Sequence, residues 1–231
     1  GTTVSLNSLT VTNGKPTNQA GAGISNNGTL SVTNSTISGN SSSSDQAYGG
    51  GFYNDGTLTL INSTVTGNIV NGPKYNVGAG IYNNGGYLKI INSTLSGNTL
   101  GGGSELNFGG GFVNTNGVSV VVNSTIAGNT ITGGAFPDGG GFFTDSGIVV
   151  AVNSLIAGNT APVATDIYGN LISAGFNLIG NPVNSTTLGI TTGNIFNTNA
   201  LLASLSNYGG ATATHALLPG SPAINGGTIL P

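Results

Sequence analysis

The sequence predicts an all-β fold, a single-stranded right-handed parallel β-helix of about six to eight coils with three strands per coil. A motif of 20 or 21 residues is repeated along the chain, and apolar and polar residues alternate within each copy with the period of a β-strand. Gly and Asn residues, which favour turns, separate the alternating segments. The right-handed sense follows from the rule for parallel crossovers. The five copies span Gly21–Asn40, Gly49–Asn68, Gly78–Asn98, Gly109–Asn129 and Gly139–Asn159.

Each copy carries apolar positions that are expected to point into the core, because successive side chains of a strand point to opposite faces. An Ile or Phe follows the glycine-rich corner: Ile24, Phe52, Ile81, Phe112 and Phe142. The third residue after the asparagine that opens the NST or NSL triplet is also apolar: Ile37, Val65, Leu95, Ile126 and Ile156. The residues two and four positions before that asparagine complete the core, with one polar member: Val32, Leu30, Leu60, Leu58, Ile90, Leu88, Val121, Ser119, Ala151 and Val149.

Two asparagines recur in every copy and are expected to form internal ladders at two corners. Coils stack about 4.8 Å apart, so stacked amides can bond to each other and to the turn backbone. The two ladders are Asn34, Asn62, Asn92, Asn123 and Asn153, and Asn40, Asn68, Asn98, Asn129 and Asn159. A buried amide cannot carry a glycan, so the NST triplets are not expected to be glycosylated. Asn40 and Asn184 open the better candidate sequons.

The chain divides into three parts. Residues 1–20 are predicted to form a degenerate first coil, and residues 21–160 contain the five repeats. Residues 161–231 are predicted to form irregular final coils with a capping segment. Connectors of variable length leave each repeat at the same corner and are expected to be loops. They carry much of the charge: Lys15, Asp45, Lys74, Glu105 and Asp138.

Charge is scarce, since the 231 residues include six acids, three lysines, one histidine and no arginine. This composition argues against nucleic-acid binding, which needs several phosphate-neutralising cations. No apolar run reaches the ~20 residues of a membrane span. There is no cysteine, hence no disulfide or metal-thiolate site, and no cofactor or metal is expected. A weakly charged, β-rich surface offers little resistance to self-association.

Several segments resemble the secreted right-handed parallel β-helix repeat proteins of bacteria, including the short repeats of polymorphic outer-membrane proteins. They are GAGIYN, GGGFVN and NSTISGN in the repeats, and SAGFNLIGN and NYGGATATHALLPGSPAING near the end. The resemblance covers nearly the whole chain. It implies the same fold and export to the cell surface or medium. In that group a PGSPAID ending precedes an anchoring region, and here Asn225 stands in place of the Asp.

Candidate catalytic groups are few, and the sequence predicts no enzyme. Asp55 and Asp145 occupy equivalent places about three coil steps or 14 Å apart, whereas glycoside hydrolysis needs carboxyl groups about 5–9.5 Å apart. Asp138 and Asp145 flank one glycine corner, where a solvated loop acid and a turn acid are expected. His215 has no acid near it in sequence and is expected to pack or form hydrogen bonds in the cap.

Three rows of outward residues suggest surfaces for contact. The strand after the first asparagine corner carries a T-x-T/S array, as on ice-binding β-solenoids, which decays to Leu and Ala in the last coils: Thr36, Ser38, Thr64, Thr66, Thr94, Ser96, Thr125, Ala127, Leu155 and Ala157. The strand before that corner carries an apolar stripe that either the C-terminal segment or another subunit should cover: Ile61, Ile91, Val122, Val152, Val120 and Val150. An aromatic row suits glycan contact or subunit packing: Tyr53, Tyr82 and Phe143.

The function expected from these features is structural: a non-enzymatic, self-associating subunit of a bacterial surface layer or extracellular filament. Its partner would be a further copy of itself. An adhesin or carbohydrate-binding β-helix that contacts surface glycans is the alternative. A polysaccharide-degrading enzyme or an ice-binding protein comes third.

Overall fold

The computed structural model describes residues 1–17 and 20–229. Residues 18, 19, 230 and 231, which belong to the predicted first coil and capping segment, lie outside the described residues. The described part contains β-strands and no helix. It therefore holds no helix of the length and hydrophobicity required to cross a membrane.

The strands are short and are numbered in chain order. The first thirteen are β1 (Thr3–Asn7), β2 (Thr10–Thr12), β3 (Ile24–Asn26), β4 (Thr29–Thr33), β5 (Thr36–Ser38), β6 (Ser41–Ser42), β7 (Gln46–Tyr48), β8 (Phe52–Asn54), β9 (Thr57–Ile61), β10 (Thr64–Thr66), β11 (Ile69–Val70), β12 (Tyr75–Val77) and β13 (Ile81–Asn84). The remainder are β14 (Tyr87–Ile91), β15 (Thr94–Ser96), β16 (Thr99–Leu100), β17 (Leu106–Phe108), β18 (Phe112–Val122), β19 (Thr125–Ala127), β20 (Thr130–Ile131), β21 (Phe136–Asp138), β22 (Phe142–Val152), β23 (Leu155–Ile156), β24 (Ile167–Ala174), β25 (Leu178–Ile179), β26 (Ser185–Ile190) and β27 (Ile195–Phe196).

These strands stack as a parallel β-helix, which confirms the predicted fold class. The long sheet has 11 strands: β1, β3, β4, β8, β9, β13, β14, β18, β22, β24 and β26. The second sheet has eight: β2, β5, β10, β15, β19, β23, β25 and β27. Equivalent repeat residues lie in register, as Leu30, Leu58 and Leu88 do across β4, β9 and β14. The stack makes about five turns, somewhat fewer than the six to eight predicted.

Each coil contains more strands than the three predicted. The connectors expected as loops fold into two further parallel sheets, the first connector sheet (β6, β11, β16, β20) and the second connector sheet (β7, β12, β17, β21). Their inward side chains form a small separate core that includes Ala47, Val70 and Leu100. The position that Val70 and Leu100 occupy in their connectors is Ser42 in the connector after the first copy. The apolar pattern of the connectors was therefore too short and irregular to indicate strands.

The main core is the column of apolar ladders that the alternation predicts. Phe52, Leu58 and Val65 are fully buried, as are their counterparts in the next copies, and Ile24 at the first repeat is half-buried. Ser119 is also buried, and its hydroxyl donates to Asn114 Oδ1 at 2.8 Å. The one polar residue at a core position therefore has a hydrogen-bond partner within the core.

The ladder that starts at Asn40 is internal, as predicted. All five of its asparagines are buried. In a typical rung, Asn68 donates its backbone N–H (3.1 Å) and Nδ2 (2.9 Å) to Asn98 Oδ1, and Nδ2 also donates to the Ile37 carbonyl (3.0 Å). Each amide thus satisfies backbone groups of the preceding coil and bonds to the asparagine of the next coil.

The prediction that the ladder starting at Asn34 is internal is wrong, because its members are half-buried or exposed. They occupy the left-handed backbone region, with φ of 50° at Asn62 and 47° at Asn92, a conformation that Asn tolerates better than most residues. Their side chains still bond from coil to coil, as in Asn92 Nδ2 to Asn62 Oδ1 at 2.7 Å. The buried position beside them belongs to a serine ladder: Ser35, Ser63, Ser93, Ser124 and Ser154.

A further internal ladder was missed. Asn26, Asn54, Asn83 and Asn114 are buried, and their amides are linked by hydrogen bonds of 2.6–2.8 Å. The signal was present, since Asn stands two residues after the core Ile or Phe in each of these copies. The fifth copy has Thr144 in place of the amide.

The structure also separates the two candidate sequons. Asn40 is fully buried and donates to Asn68 Oδ1, so it cannot carry a glycan in the folded chain. Asn184 is exposed. The prediction of Asn40 as a glycosylation candidate was therefore wrong, because its amide is buried in a ladder, as was expected for the NST asparagines.

We expect Asn98→Ala to destabilise the protein by at least about 3 kcal/mol, because it removes four hydrogen bonds between buried groups, two donated by Asn68 and two accepted by Val65 and Asn129, at about 1 kcal/mol each, and leaves the buried Asn68 N–H without its acceptor. Urea denaturation measures the change. Asn92→Gly is the matched control: glycine accepts the same positive φ, only a surface hydrogen bond is lost, and the expected cost is about 1 kcal/mol or less. Equal costs for the two variants would contradict the assignment of buried and surface ladders.

Candidate functional surfaces

Residues 201–229 form a C-terminal strap that folds back along the outer side of the second sheet. The Thr64 hydroxyl donates to the Ala213 carbonyl, and the Thr94 and Thr214 hydroxyls lie 2.9 Å apart. Near the other end, Asn153 Nδ2 donates to the Thr228 carbonyl at 2.9 Å. The strap therefore runs over several coils instead of only closing the end of the stack.

The strap covers the T-x-T/S array. Thr64, Thr94 and Ser96 are buried although their side chains point outward from the sheet. In the last coils the equivalent residues are apolar because the strap is apolar there: Leu202 and Ala223 of the strap pack against the cluster that contains Leu155 and Ala157. The surface that suggested ice binding is therefore covered in part by the chain itself, whereas Thr36, Ser38 and Thr66 remain half-buried, and the decay of the array reflects intramolecular packing.

His215 holds the middle of the strap. Its Nδ1–H donates to the Ala203 carbonyl at 2.7 Å, and Nε2 lies 2.8 Å from the Ser96 hydroxyl. Both ring nitrogens are thus used in the strap contact, in line with the hydrogen-bonding role expected for this residue. His215 also lines a cavity of about 250 Å³ between the strap and the last coils, with Asn153, Leu155, Phe176 and Ala223.

The outer side of the long sheet becomes apolar toward its C-terminal coils. All six predicted stripe residues are half-buried and point outward on β9, β14, β18 and β22. Val118, Val120 and Val122 lie in register with Ile148, Val150 and Val152. Beyond them, Ile172, Leu188 and Ile190 are exposed. We call this surface the apolar face: Ile91, Val118, Val120, Val122, Ile148, Val150, Val152, Ile172, Leu188 and Ile190.

The same columns are polar in the first coils. The positions equivalent to Val120 are Ser31, Thr59 and Lys89 in earlier strands. A uniform solvated sheet would keep such residues throughout. The change from hydroxyl to aliphatic side chains along one column indicates that the two ends of the sheet meet different surroundings.

Three tyrosines meet where the second connector sheet joins the long sheet. The ring centroids of Tyr53 and Tyr82 are 5.5 Å apart in an edge-to-face arrangement, and those of Tyr48 and Tyr82 are 5.6 Å apart. The chain turns between Tyr48 and Tyr53 through three glycines, of which Gly49 has φ of 64°. A Cβ at Gly51 would lie 2.5 Å from the Gly80 carbonyl of the next coil, so only glycine allows the coils to stack there.

A hydrogen-bond network surrounds these rings. Asn84 Nδ2 donates to Tyr53 Oη (2.9 Å) and to Asp55 Oδ1 (2.8 Å), and Tyr82 Oη donates to Asn84 Oδ1 (3.2 Å). Burial raises the pKa of Tyr53 and of Tyr82, and the nearby carboxylates of Asp55 and Asp145, respectively, raise them further. We call Tyr48, Tyr53, Tyr82 and Asn84 the tyrosine corner.

Phe143, the third predicted aromatic contact, lies apart from this group. It is 6% exposed and stacks between Phe108, at 4.1 Å between centroids, and Tyr168, at 5.0 Å. It was thus a wrong candidate for ligand contact. Sequence reasoning missed Tyr48 and Phe108 because both lie in connectors that were expected to be loops.

The acidic residues lie apart along the corner. Asp55 and Asp145 are exposed on different coils, with Asn84 and Thr115 at the intervening levels. Asp138, expected to be a solvated loop acid, is instead buried at the end of β21, and its Oδ1 has no hydrogen-bond partner among the described residues. Burial raises the pKa of Asp138.

Asp166, which the sequence did not single out, ends the internal asparagine ladder. Its Oδ1 accepts from the backbone N–H (3.0 Å) and Nδ2 (2.9 Å) of Asn159, and its Oδ2 accepts from the Asn181 N–H (2.7 Å). Burial raises the pKa of Asp166 although these hydrogen bonds oppose the shift. Its bonds indicate a structural role in the stack.

Within residues 1–17 and 20–229, no three His, Cys, Asp or Glu side chains lie close enough together to hold a metal ion. Comparisons with models of protein families, with curated proteins and with solved structures give no significant match. The surfaces of this chain must therefore be interpreted from their own geometry.

We expect Asp138→Asn to raise the free energy of unfolding at pH 7 and to change it little at pH 3. Burial raises the pKa of Asp138 in the folded state above its ordinary value of 3.8. Such a carboxyl lowers the free energy of unfolding as the pH rises from the unfolded pKa to the folded pKa, and it has no effect well below the unfolded pKa. Urea denaturation of parent and variant at both pH values measures the difference. Asp145→Asn, at an exposed acid, is the control. A gain for Asp138→Asn that is the same at both pH values would contradict the inferred burial of the charge.

Proposed function

We propose that this protein is a non-enzymatic structural subunit that self-associates through the apolar face, as part of an extracellular layer or filament. The observation that carries the proposal is the path of the C-terminal strap. The strap covers the second sheet, and its hydrogen bonds to the β-helix go to that sheet and to the adjoining asparagine corner. The sequence predicted that either the C-terminal segment or another subunit would cover the apolar stripe. The C-terminal segment packs on the second sheet instead.

A second copy suits the apolar face better than a charged partner. The face consists of outward side chains from five parallel strands, and these side chains are aliphatic. Lys89, at the polar margin, lies in register with Val120. Stacked aliphatic faces of two sheets form the same kind of contact that fills a β-sandwich.

The size of the face limits the strength of one contact. Five strands at about 4.8 Å and five residues at about 3.3 Å give roughly 400 Å² per copy, or about 800 Å² for a pair. Stable interfaces bury about 1,200–2,000 Å². One face-to-face contact is therefore weak, and a stable assembly needs many such contacts at once.

The bacterial and extracellular parts of the proposal rest on the resemblance of the repeats and of the C-terminal PGSPAI segment to exported β-helix proteins. The non-enzymatic part rests on the separation of the exposed acids Asp55 and Asp145 and on the structural bonds of Asp166 and His215. Adhesion through bound glycans is compatible with the same surface location.

We expect the double variant Val120→Thr, Val150→Thr to raise the concentration of half-association at least about tenfold, since both substitutions place hydroxyls in the middle of the apolar face while keeping side-chain shape. The strand tolerates the change, because Thr59 occupies the same column in the second copy of the repeat. Light scattering across a dilution series, with negative-stain electron microscopy of the concentrated sample, measures it.

Thr59→Ser is the matched control and should associate like the parent chain. A parent protein that stays monomeric at every concentration would refute the proposed function. So would equal weakening by the double variant and by Thr59→Ser, because the contact would then lie outside the apolar face.

A further inference from the structure

We infer that the tyrosine corner is a binding site for a neutral glycan chain. This inference is independent of self-association, because the corner and the apolar face lie on different parts of the coil. Of the aromatic row expected from the sequence, the site keeps Tyr53 and Tyr82 and excludes Phe143. It adds Tyr48 and Asn84.

The shape of the corner suits a sugar ring. Outward side chains of the long sheet and of the second connector sheet converge there. The rings of Tyr48, Tyr53 and Tyr82 are half-buried, so part of their surface is exposed to a ligand. Tyr combines an apolar ring with a polar tip and is well suited to a ligand that has both apolar and hydroxyl-bearing faces. Few rotatable bonds are lost on binding, because the rings already support one another.

The polar groups are fixed in advance. Asn84 binds Tyr53, Tyr82 and Asp55 simultaneously, at 2.8–3.2 Å. Tyr53 Oη accepts the Asn84 amide, and the nearby carboxylate and amide oxygens provide acceptors. A few placed polar groups around an aromatic surface are typical of specific small-ligand sites.

The charges define the class of glycan. Asp55 Oδ1 accepts a hydrogen bond from Asn84 within the corner at 2.8 Å. The carboxylates of Asp145 and Glu105 contribute to the raised pKa of Tyr82 and of the neighbouring Tyr75, respectively. Lys74, in the adjacent connector, lies 3.3 Å from Asp45 and is neutralised by it. This negative field disfavours uronic-acid, sulfated or phosphate-containing polymers and favours uncharged hexoses, pentoses or N-acetylhexosamines.

The second aromatic cluster provides a natural contrast. Phe108, Phe143 and Tyr168 stack nearly parallel, with interplanar angles of 15° and 7°. Their contact buries ring faces against each other, and two of the three rings have no hydroxyl. This cluster packs the outer wall and is expected to take no ligand.

Affinity electrophoresis in gels containing hydroxyethyl cellulose, xylan, glucomannan or glycol chitin tests the inference, with polygalacturonate as the anionic probe. We expect retardation by at least one neutral polymer and none by polygalacturonate. For the polymer that binds, Tyr53→Ala and Tyr82→Ala should each raise the dissociation constant about tenfold or more, as for anchoring aromatics at interfaces. Tyr53→Phe, which keeps the ring and loses one hydrogen bond, should cost less.

Tyr168→Ala is the matched control in the same aromatic row and should leave binding within about twofold of the parent value. Thermal melts verify that each variant folds. The double variant Val120→Thr, Val150→Thr should bind the polymer as the parent does, which separates this inference from the proposed self-association. No retardation by any neutral polymer, retardation only by polygalacturonate, or an equal loss in Tyr168→Ala would overturn it.

Discussion

The structure depends on the hydrogen bonds of the buried asparagine ladders. At the corner of every coil the backbone turns inside the protein, where its N–H and C=O groups have no water to bind. An asparagine side chain is short enough to lie in the turn, and it both donates and accepts. Each Asn68-type amide therefore binds the coil before it and the coil after it, and the repeat cannot drift in register without losing several buried hydrogen bonds at once.

This constraint explains why the chain can dispense with charge. Stability comes from in-register apolar ladders and amide ladders, both of which need identical residues at fixed positions and neither of which needs ion pairs. Where the repeat ends, the ladder ends on the buried carboxylate of Asp166, which accepts three N–H groups at the point where no further coil supplies an amide. The termination is a local solution to the same hydrogen-bond requirement.

The outer surfaces are divided among different uses. The second sheet is taken by the strap, the long sheet carries an uncovered apolar face in its later coils, and the tyrosine corner presents aromatic rings within a polar network. A surface-located filament that also binds neutral glycans would combine the last two. The weak contact area of one apolar face fits such a system, in which many low-affinity contacts act together.

The repeat pattern by itself determined the fold class, the inward apolar ladders and one of the two predicted asparagine ladders. These follow from alternation and from stacking, which are local rules applied in every coil. The burial of Asn34-type side chains could not be decided in this way, because their positive φ turns them outward and the serine beside them inward. The pattern also marked Tyr53, Tyr82 and the apolar stripe as outward residues.

Only the tertiary structure decided what lies over those outward residues. The path of the strap depends on contacts between residues about 120 to 150 positions apart, such as Thr94 with Thr214 and Asn62 with Thr212, and no short-range period encodes them. The tyrosine corner likewise forms only because the connector that ends at Tyr48 places this residue beside Tyr82 of the next coil. Periodicity specifies which side of a strand a residue occupies, whereas non-repeating segments determine what covers that side.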